Sequence, residues 1–303
     1  MCSSDLAATS DPRRRTAPAR AANRPAASLR FAILPFAVRL PVEGITGLLG
    51  KNAEVTMARM ARLVADGCGP PRGTRILHVT DLHNRPAAFR LVPALCRTMT
   101  LELVVTTGDL SGLGGPVECT LLSALARWPA PVVFAPGNHD SDLTQRCMRR
   151  LGAEVLSEPR LVTVAGVRVW GYPDPNRTVL FGAAHNPELA REAAAEVRPP
   201  RGDPYVIAVH SERMVSEIPP GVRLVLCGHL HSPEVRVAGD VVIVRPGAAG
   251  GTNPWSGPVR AAVVDLDLPA HAPVGIWLVE IDGDRYRVDE VAVQQGKREK
   301  ERE

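Results

Sequence analysis

The sequence has no C-x-x-C pair, no internal repeat, no long uninterrupted apolar run and, beyond its first thirty residues, no excess of positive charge. The best apolar candidate, FAILPFAVRLPVEGITGLLG from Phe31, is broken by Arg39, Glu43 and two prolines. A membrane-spanning helix needs about 20 consecutive apolar residues, so none is expected within this chain. Arg13 to Arg15 stand where a twin-arginine export signal would have them, but the apolar stretch that follows meets Arg39 too soon to serve as one. The six cysteines, Cys2, Cys68, Cys96, Cys119, Cys147 and Cys227, are scattered. They read as free thiols of a reducing compartment, with Cys227 a small core residue, and the expected location is cytoplasmic. The net charge of +4 is accounted for by residues 1–30, where six arginines face only Asp5 and Asp11. The neutral remainder argues against a nucleic-acid groove, which needs clustered Lys and Arg to neutralise phosphates.

With 303 residues, 45% of them hydrophobic and 22% charged, the chain can bury a substantial core. Residues 1–30 are rich in Ala, Pro and Arg, have little to bury, and are predicted to be disordered. Their opening, MCSSDL, is what a common sequencing-library adapter encodes when read through from a GTG start, so residues 1–6 are expected to be an artefact. A genuine upstream segment, membrane-spanning in one version, would then be missing, and the location would become membrane-associated; the nucleotide sequence decides this. Residues 31–72 are predicted to form a helical extension: over 52–66, Ala53, Met57, Met60, Ala61 and Val64 fall on one helical face, with Asn52 as N-cap and Gly67 past the end. Residues 73–294 form the main domain, and residues 295–303, ending in GKREKERE, a solvated charged tail.

Within the main domain five short apolar runs each stop at a metal-competent side chain. RILHVTDLHN ends on Asp81 and His83, LELVVTTGDL on Asp109, VVFAPGNHDS on Asn138, His139 and Asp140, YVIAVHSER on His210, and VRLVLCGHLH on His229 and His231. Runs rich in Val, Ile and Leu and bounded by Gly or polar residues read as strands buried on both faces. Helical segments are predicted between the first three, at 86–99 and 117–128, and after them at 141–151, with another at 187–197. Asp81, Asp109 and Asn138 are each separated by about one strand and one crossover helix, the spacing of a βαβαβα unit. In such sheets ligands bind beyond the carboxyl ends of the strands, where residues distant in sequence share one site. Beyond His231 the chain reads as closely spaced antiparallel strands.

Taken together and in this order, D-x-H, G-D, G-N-H-D, a strand-terminal His and G-H-x-H resemble the calcineurin-like metallophosphoesterase family over about residues 73–255. That resemblance implies a four-layer α/β/β/α sandwich, two mixed sheets flanked by helices, with metals at one edge. It implies that Asp81, His83, Asp109 and His231 hold one divalent ion and Asp109, Asn138, His210 and His229 a second, with Asp109 bridging. Two carboxylates leave such a pair with excess positive charge, which suits an anionic phosphate and a bridging hydroxide. Four imidazoles favour Mn, Fe or Zn over Mg or Ca. The function implied is hydrolysis of a phosphodiester or phosphomonoester by direct attack of that hydroxide, on a small phosphorylated substrate.

By the same resemblance His139 protonates the leaving oxygen or stabilises charge there, and Asp140 orients His139; the alternative for Asp140 is the N-cap of the following helix. Asn84 either touches substrate or caps a helix. His78 reads as a core histidine, His185 as a surface or capping residue and His271 as exposed. The loops YPDPN (172–176) and PGAAGGTN (246–253) would border the substrate, the second with Ala248 and Ala249 where the family often has Ser. A catalytically silent metal-binding scaffold for protein partners is the alternative function, although silent members typically lose ligands or the G-N-H-D histidine and none is missing. A nuclease, the third reading, is disfavoured by the neutral core.

Overall fold

Three of the apolar runs, β1 (Thr74–Val79), β2 (Leu103–Thr106) and β3 (Val132–Phe134), lie side by side as parallel strands. The computed structural model describes residues 51–177, 186–250 and 257–292, all within a unit that spans Pro41–Glu303. The tails predicted at 1–30 and 295–303, residues 251–253 of the second glycine loop, and His185 lie outside the described residues.

α1 (Lys51–Cys68) precedes β1, and α2 (Pro86–Thr98), α3 (Pro116–Leu125) and α4 (Asp142–Arg150) follow β1, β2 and β3 in turn. Pro86 and Pro116 occupy first helical positions, where the missing N–H costs nothing. Ser141 caps α4 by accepting the N–H of Leu143 at 3.2 Å and of Thr144 at 3.3 Å. In α1 the expected stripe buries Met60, Ala61 and Val64. Asn52 and Gly67 both lie inside that helix rather than at its ends.

β1 to β3 continue into β4 (Glu154–Val155) on one side, and on the other β1 pairs antiparallel with β11 (Val259–Asp267), followed by β12 (Ala272–Asp282) and β13 (Arg285–Glu290). The second sheet is ordered β5 (Arg160–Val164), β6 (Val167–Gly171), β7 (Val206–Ala208), β8 (Leu224–Leu226), β10 (Val241–Arg245), β9 (Glu234–Ala238). β6, β7, β8 and β10 run parallel, and β5 and β9 form antiparallel hairpins at the edges.

The two-residue period of a strand builds the layers. In β1, Leu77 and Val79 face the helices, packing with Phe89, Leu95 and Phe134. Ile76 faces the other way, into a core between the sheets shared with Leu103, Val133, Val206 and Leu224. Outside the second sheet, α5 (Pro187–Glu196) covers Trp170, Tyr205 and Ile207 with Ala190. The architecture is therefore the expected α/β/β/α sandwich of two mixed sheets.

Two further expectations are corrected. Cys119 and Cys147 are not free thiols: α3 and α4 pack side by side, bring their Cα atoms to 5.8 Å, and the pair forms a disulfide. Closing a loop of 28 residues removes unfolded-chain entropy worth about 3.6 kcal/mol. Cys68, Cys96 and Cys227 are free, and burial pushes the Cys227 thiol up to about 12. His271 is not exposed: it is buried, and its Nε2 accepts the N–H of Arg168 at 2.9 Å. His78 is the core residue expected, with Nε2 2.9 Å from Thr107 Oγ1 and its pKa lowered by burial to about 3, which leaves it neutral.

Candidate metal centre

The carboxyl ends of β1, β2 and β3 deliver Asp81, His83, Asp109, Asn138 and His139, and those of β7 and β8 deliver His210, His229 and His231. The site is thus built from both sheets. The strands stop here because the chain leaves the extended conformation abruptly: φ is +54° at Asp81, +43° at His83, +54° at Asp109, +70° at His229 and +29° at His231. Left-handed backbone costs a non-glycine residue roughly 1–2 kcal/mol, so the surroundings must impose it. Cross-strand hydrogen bonds do so, Asp81 N–H to Gly108 O at 2.9 Å, His83 N–H to Asp109 O at 2.9 Å and Gly228 N–H to His210 O at 2.8 Å.

Two motif glycines are demanded by this crowding. Gly108 has φ +102°, and a Cβ there would lie 2.4 Å from the Gly137 nitrogen. A Cβ at Gly228 would lie 2.0 Å from Thr80 Oγ1 and 2.7 Å from Asp81 Oδ2. Gly228→Ala should therefore displace Asp81 and weaken metal binding by about ten- to a hundredfold, as losing an orienting partner does; metal titration followed by calorimetry checks this, and wild-type affinity would contradict it.

The seven residues expected to hold metal converge. Donor atoms of Asp81, His83 and His231 lie within 4.8 Å of one another, and so do those of Asp81, Asp109 and His210. His83 Nε2 and His231 Nε2 are 3.4 Å apart, and Asp81 Oδ1 is 3.4 Å from the latter and 4.0 Å from the former. On the other side His210 Nε2 is the meeting point: Asn138 Oδ1 at 3.0 Å, His229 Nδ1 at 3.2 Å and Asp109 Oδ2 at 3.3 Å. Asp109 Oδ2 is also 3.9 Å from His83 Nε2 and so borders both groups. Its Oδ1 is occupied by the N–H of His139 at 2.9 Å.

Two observations fit this donor set to cations. Asp81 Oδ1 is buried without a hydrogen bond, while Oδ2 accepts from Thr80 Oγ1 at 2.8 Å and the His229 N–H at 3.0 Å. His210 Nδ1 lies 2.7 Å from the Thr107 carbonyl and donates to it, so Nε2 faces oxygen acceptors and needs either a proton or a metal there. The electrostatics agree. Burial opposes a charge on His210, yet Asp109 and Asp81 hold its pKa well above the ordinary value, and contact with Asp81 raises that of His231 against burial. Burial also favours protonated carboxyls, but His210 and His83 hold Asp109 well below the usual range, and His231 and His210 lower Asp81. Protons on imidazoles here stand in for positive charge that a divalent ion would supply, and metal binding would release them.

The His139 ring lies beside these donors, 5.2 Å between centroids from that of His83. Its orientation is a correction: Nδ1 donates to the Gly112 carbonyl at 2.6 Å, and the Asp140 carboxylate turns to backbone amides instead. Asp140 accepts the N–H of Asp109 at 2.6 Å, of Leu110 and Gly137 at 3.0 Å and of Ser111 at 3.1 Å, together with Ser111 Oγ at 3.0 Å. It does not cap α4 either, because Ser141 holds that place. Asn84 is likewise not a helix cap; Arg85 precedes α2, and Asn84 Nδ2 donates to Glu118.

Glu118 was missed by the sequence reading. Its carboxylate accepts the N–H of Gly112 at 2.9 Å, Leu113 at 2.9 Å and Gly115 at 2.7 Å, and so shapes the loop whose carbonyl holds His139. The signal was there: Gly-Pro-x-Glu at 115–118 places an acid at the third position of a helix that starts with proline. Both loops singled out as bordering the site abut the donors. Asp174 N–H donates to Pro136 O at 2.8 Å, Ala249 N–H to Thr80 O at 2.9 Å and Gly250 N–H to Asp81 O at 2.7 Å.

The profile of the calcineurin-like phosphoesterase family matches residues 74–233, and the chain belongs to that family. Similar solved structures include an archaeal phosphodiesterase, 14% identical, covering 72% of this chain and 100% of its own, with a TM-score of 0.41. Vacuolar Protein Sorting 29 from Cryptosporidium parvum is 13% identical over 72% of this chain and 97% of its own, with a TM-score of 0.41. Yfce, a phosphoesterase from E. coli, is 14% identical over 67% of this chain and 98% of its own, with a TM-score of 0.38. No curated protein matches the sequence.

Proposed function

We propose that this protein is a dinuclear metal-dependent phosphohydrolase acting on a small phosphodiester or phosphomonoester. The observation that carries the reading is Asp109 Oδ2, which borders two donor groups at 3.3 Å and 3.9 Å while Oδ1 is tied to the His139 backbone. Asp81, His83, Asp109 and His231 would hold one ion, and Asp109, Asn138, His210 and His229 the other, with Mn, Fe or Zn suited to so many imidazoles. When bound, such ions supply an acidified water and Lewis-acid stabilisation of phosphoryl oxygens.

The chain's own residues do the rest. Asp109 and His210 are fixed by the His139 N–H and the Thr107 carbonyl respectively, so neither reorganises during turnover. Hydrolysis adds a water oxygen to phosphorus and expels an alkoxide. With the Nδ1–H donated to the Gly112 carbonyl, the proton that His139 passes to that alkoxide is a second one, on Nε2, and the ring goes from imidazolium to neutral imidazole in the step. The carboxylates are too few to neutralise two divalent ions, so an anionic phosphate is drawn in.

The test is metal content measured alongside hydrolysis of chromogenic phosphodiesters and phosphomonoesters. About two ions per chain and a hydrolysis abolished by chelation and restored by Mn²⁺ are expected. Metal retained with no ester cleaved would instead favour the scaffold, and salt-sensitive DNA or RNA binding the nuclease.

A further inference from the structure

A cavity of about 470 Å³ opens on the outer face of the second sheet, and its wall includes Gly228, His229 and Leu230. His229 therefore belongs both to the donor cluster and to this cavity. Val225 of β8 and Ile243 of β10 form part of the lining, with Val215 and Ile218 from the segment after His210. The size falls within the range of small-molecule pockets, about 300–1,000 Å³. An apolar residue of the lining stands beside the donors themselves. Leu230, between two donor histidines and part of the lining, is 52% exposed. With Val215, Ile218, Val225 and Ile243, Leu230 gives the cavity an apolar wall that a hydrocarbon group could cover.

Charge on the cavity favours an anion over a cation. Arg213, Arg236 and Arg245 line it against a single acid, Glu212. Arg236 and Arg245 are engaged with Glu212 and Glu234. Arg213 is exposed and, among the described residues, has no ion pair.

We infer that this cavity receives the organic part of the substrate, and that the substrate class is a phosphoester of an apolar alcohol, taken as a single molecule with its phosphate at the donors and its hydrocarbon against Val215, Ile218 and Leu230. This rests on the phosphohydrolase reading and narrows its substrate.

Two matched substrates test it, octyl p-nitrophenyl phosphate and methyl p-nitrophenyl phosphate, which differ only in the group the cavity would take. The octyl ester is expected to have the higher kcat/KM. Ile218→Glu should lower the octyl-to-methyl ratio by about tenfold or more, the scale of a lost apolar contact in a pocket. Leu230→Ser, a change at an exposed position that the fold tolerates, should lower it in the same direction. A second readout needs no turnover: octyl phosphate should bind the metal-free protein more tightly than methyl phosphate by calorimetry, and Ile218→Glu should erase the difference. Equal ratios in wild type and both variants, or equal binding of the two phosphates, would overturn the inference even if both esters are cleaved. Octyl-selective binding with no cleavage of either ester would leave the cavity assignment standing and remove the hydrolase reading.

Discussion

His139→Ala is expected to lower kcat by about 100-fold or more while the metal content stays at the wild-type level. The separation of the two effects follows from which atoms of His139 do what. Its backbone N–H donates to Asp109 Oδ1 at 2.9 Å, and alanine keeps that bond. Its ring hangs from the Gly112 carbonyl at 2.6 Å and lies next to the donor group without being one of the expected ligands. Losing the ring removes the proton donor and leaves the carboxylate position intact. Metal analysis and steady-state kinetics on the same preparation decide it. Near-normal turnover would refute the role, and metal lost in proportion to activity would move His139 into the donor set.

Asp140→Ala is expected to cost about 4 kcal/mol of stability, at the extreme of single substitutions. Four backbone N–H groups and the Ser111 hydroxyl point at one fully buried carboxylate. Each donor left unpaired in the interior costs about 1–3 kcal/mol, and the sum is not additive. Removing the carboxyl also brings some relief: burial, then the neighbouring charge of Asp109, pushes its pKa up to about 7. The donors outweigh this because they tie the loop after β2 to the loop after β3, and both carry expected ligands. Asp140→Asn, with one accepting oxygen instead of two, should fall between wild type and alanine. Urea denaturation of the three proteins would show the ordering; an alanine variant within 1 kcal/mol of wild type would sink it.

The fold was legible because burial on both faces leaves strands few polar positions until they end, so each motif residue announced a strand terminus. The metal-competent residues were legible for the same reason. What escaped were relations that cross the chain without a local pattern. Cys119 and Cys147 sit on neighbouring helices, and a separation of 28 residues carries no spacing rule. Asp140 has the composition of a helix cap and follows a histidine, so local chemistry suggested two partners; its real ones, apart from Gly137, lie about thirty residues upstream. His271, between two alanines near a turn, looked solvated because nothing in its own segment reveals that Arg168 of β6 comes to meet it.

The split of the donor set between the sheets makes the site a gauge of how the two slabs are seated. His210 to Asp109 at 3.3 Å and His231 to Asp81 at 3.4 Å both span the junction, whereas Asp81, Asp109 and Asn138 ride on adjacent strands of one slab. Apolar side chains such as Leu103, Val133, Val206 and Leu224 fill the space between the slabs. A void opened among them, far from any ligand, would let one slab settle on the other and alter the gaps across the junction while sparing those within a slab, so ion affinity would register damage in the deep interior before any loop at the rim was touched.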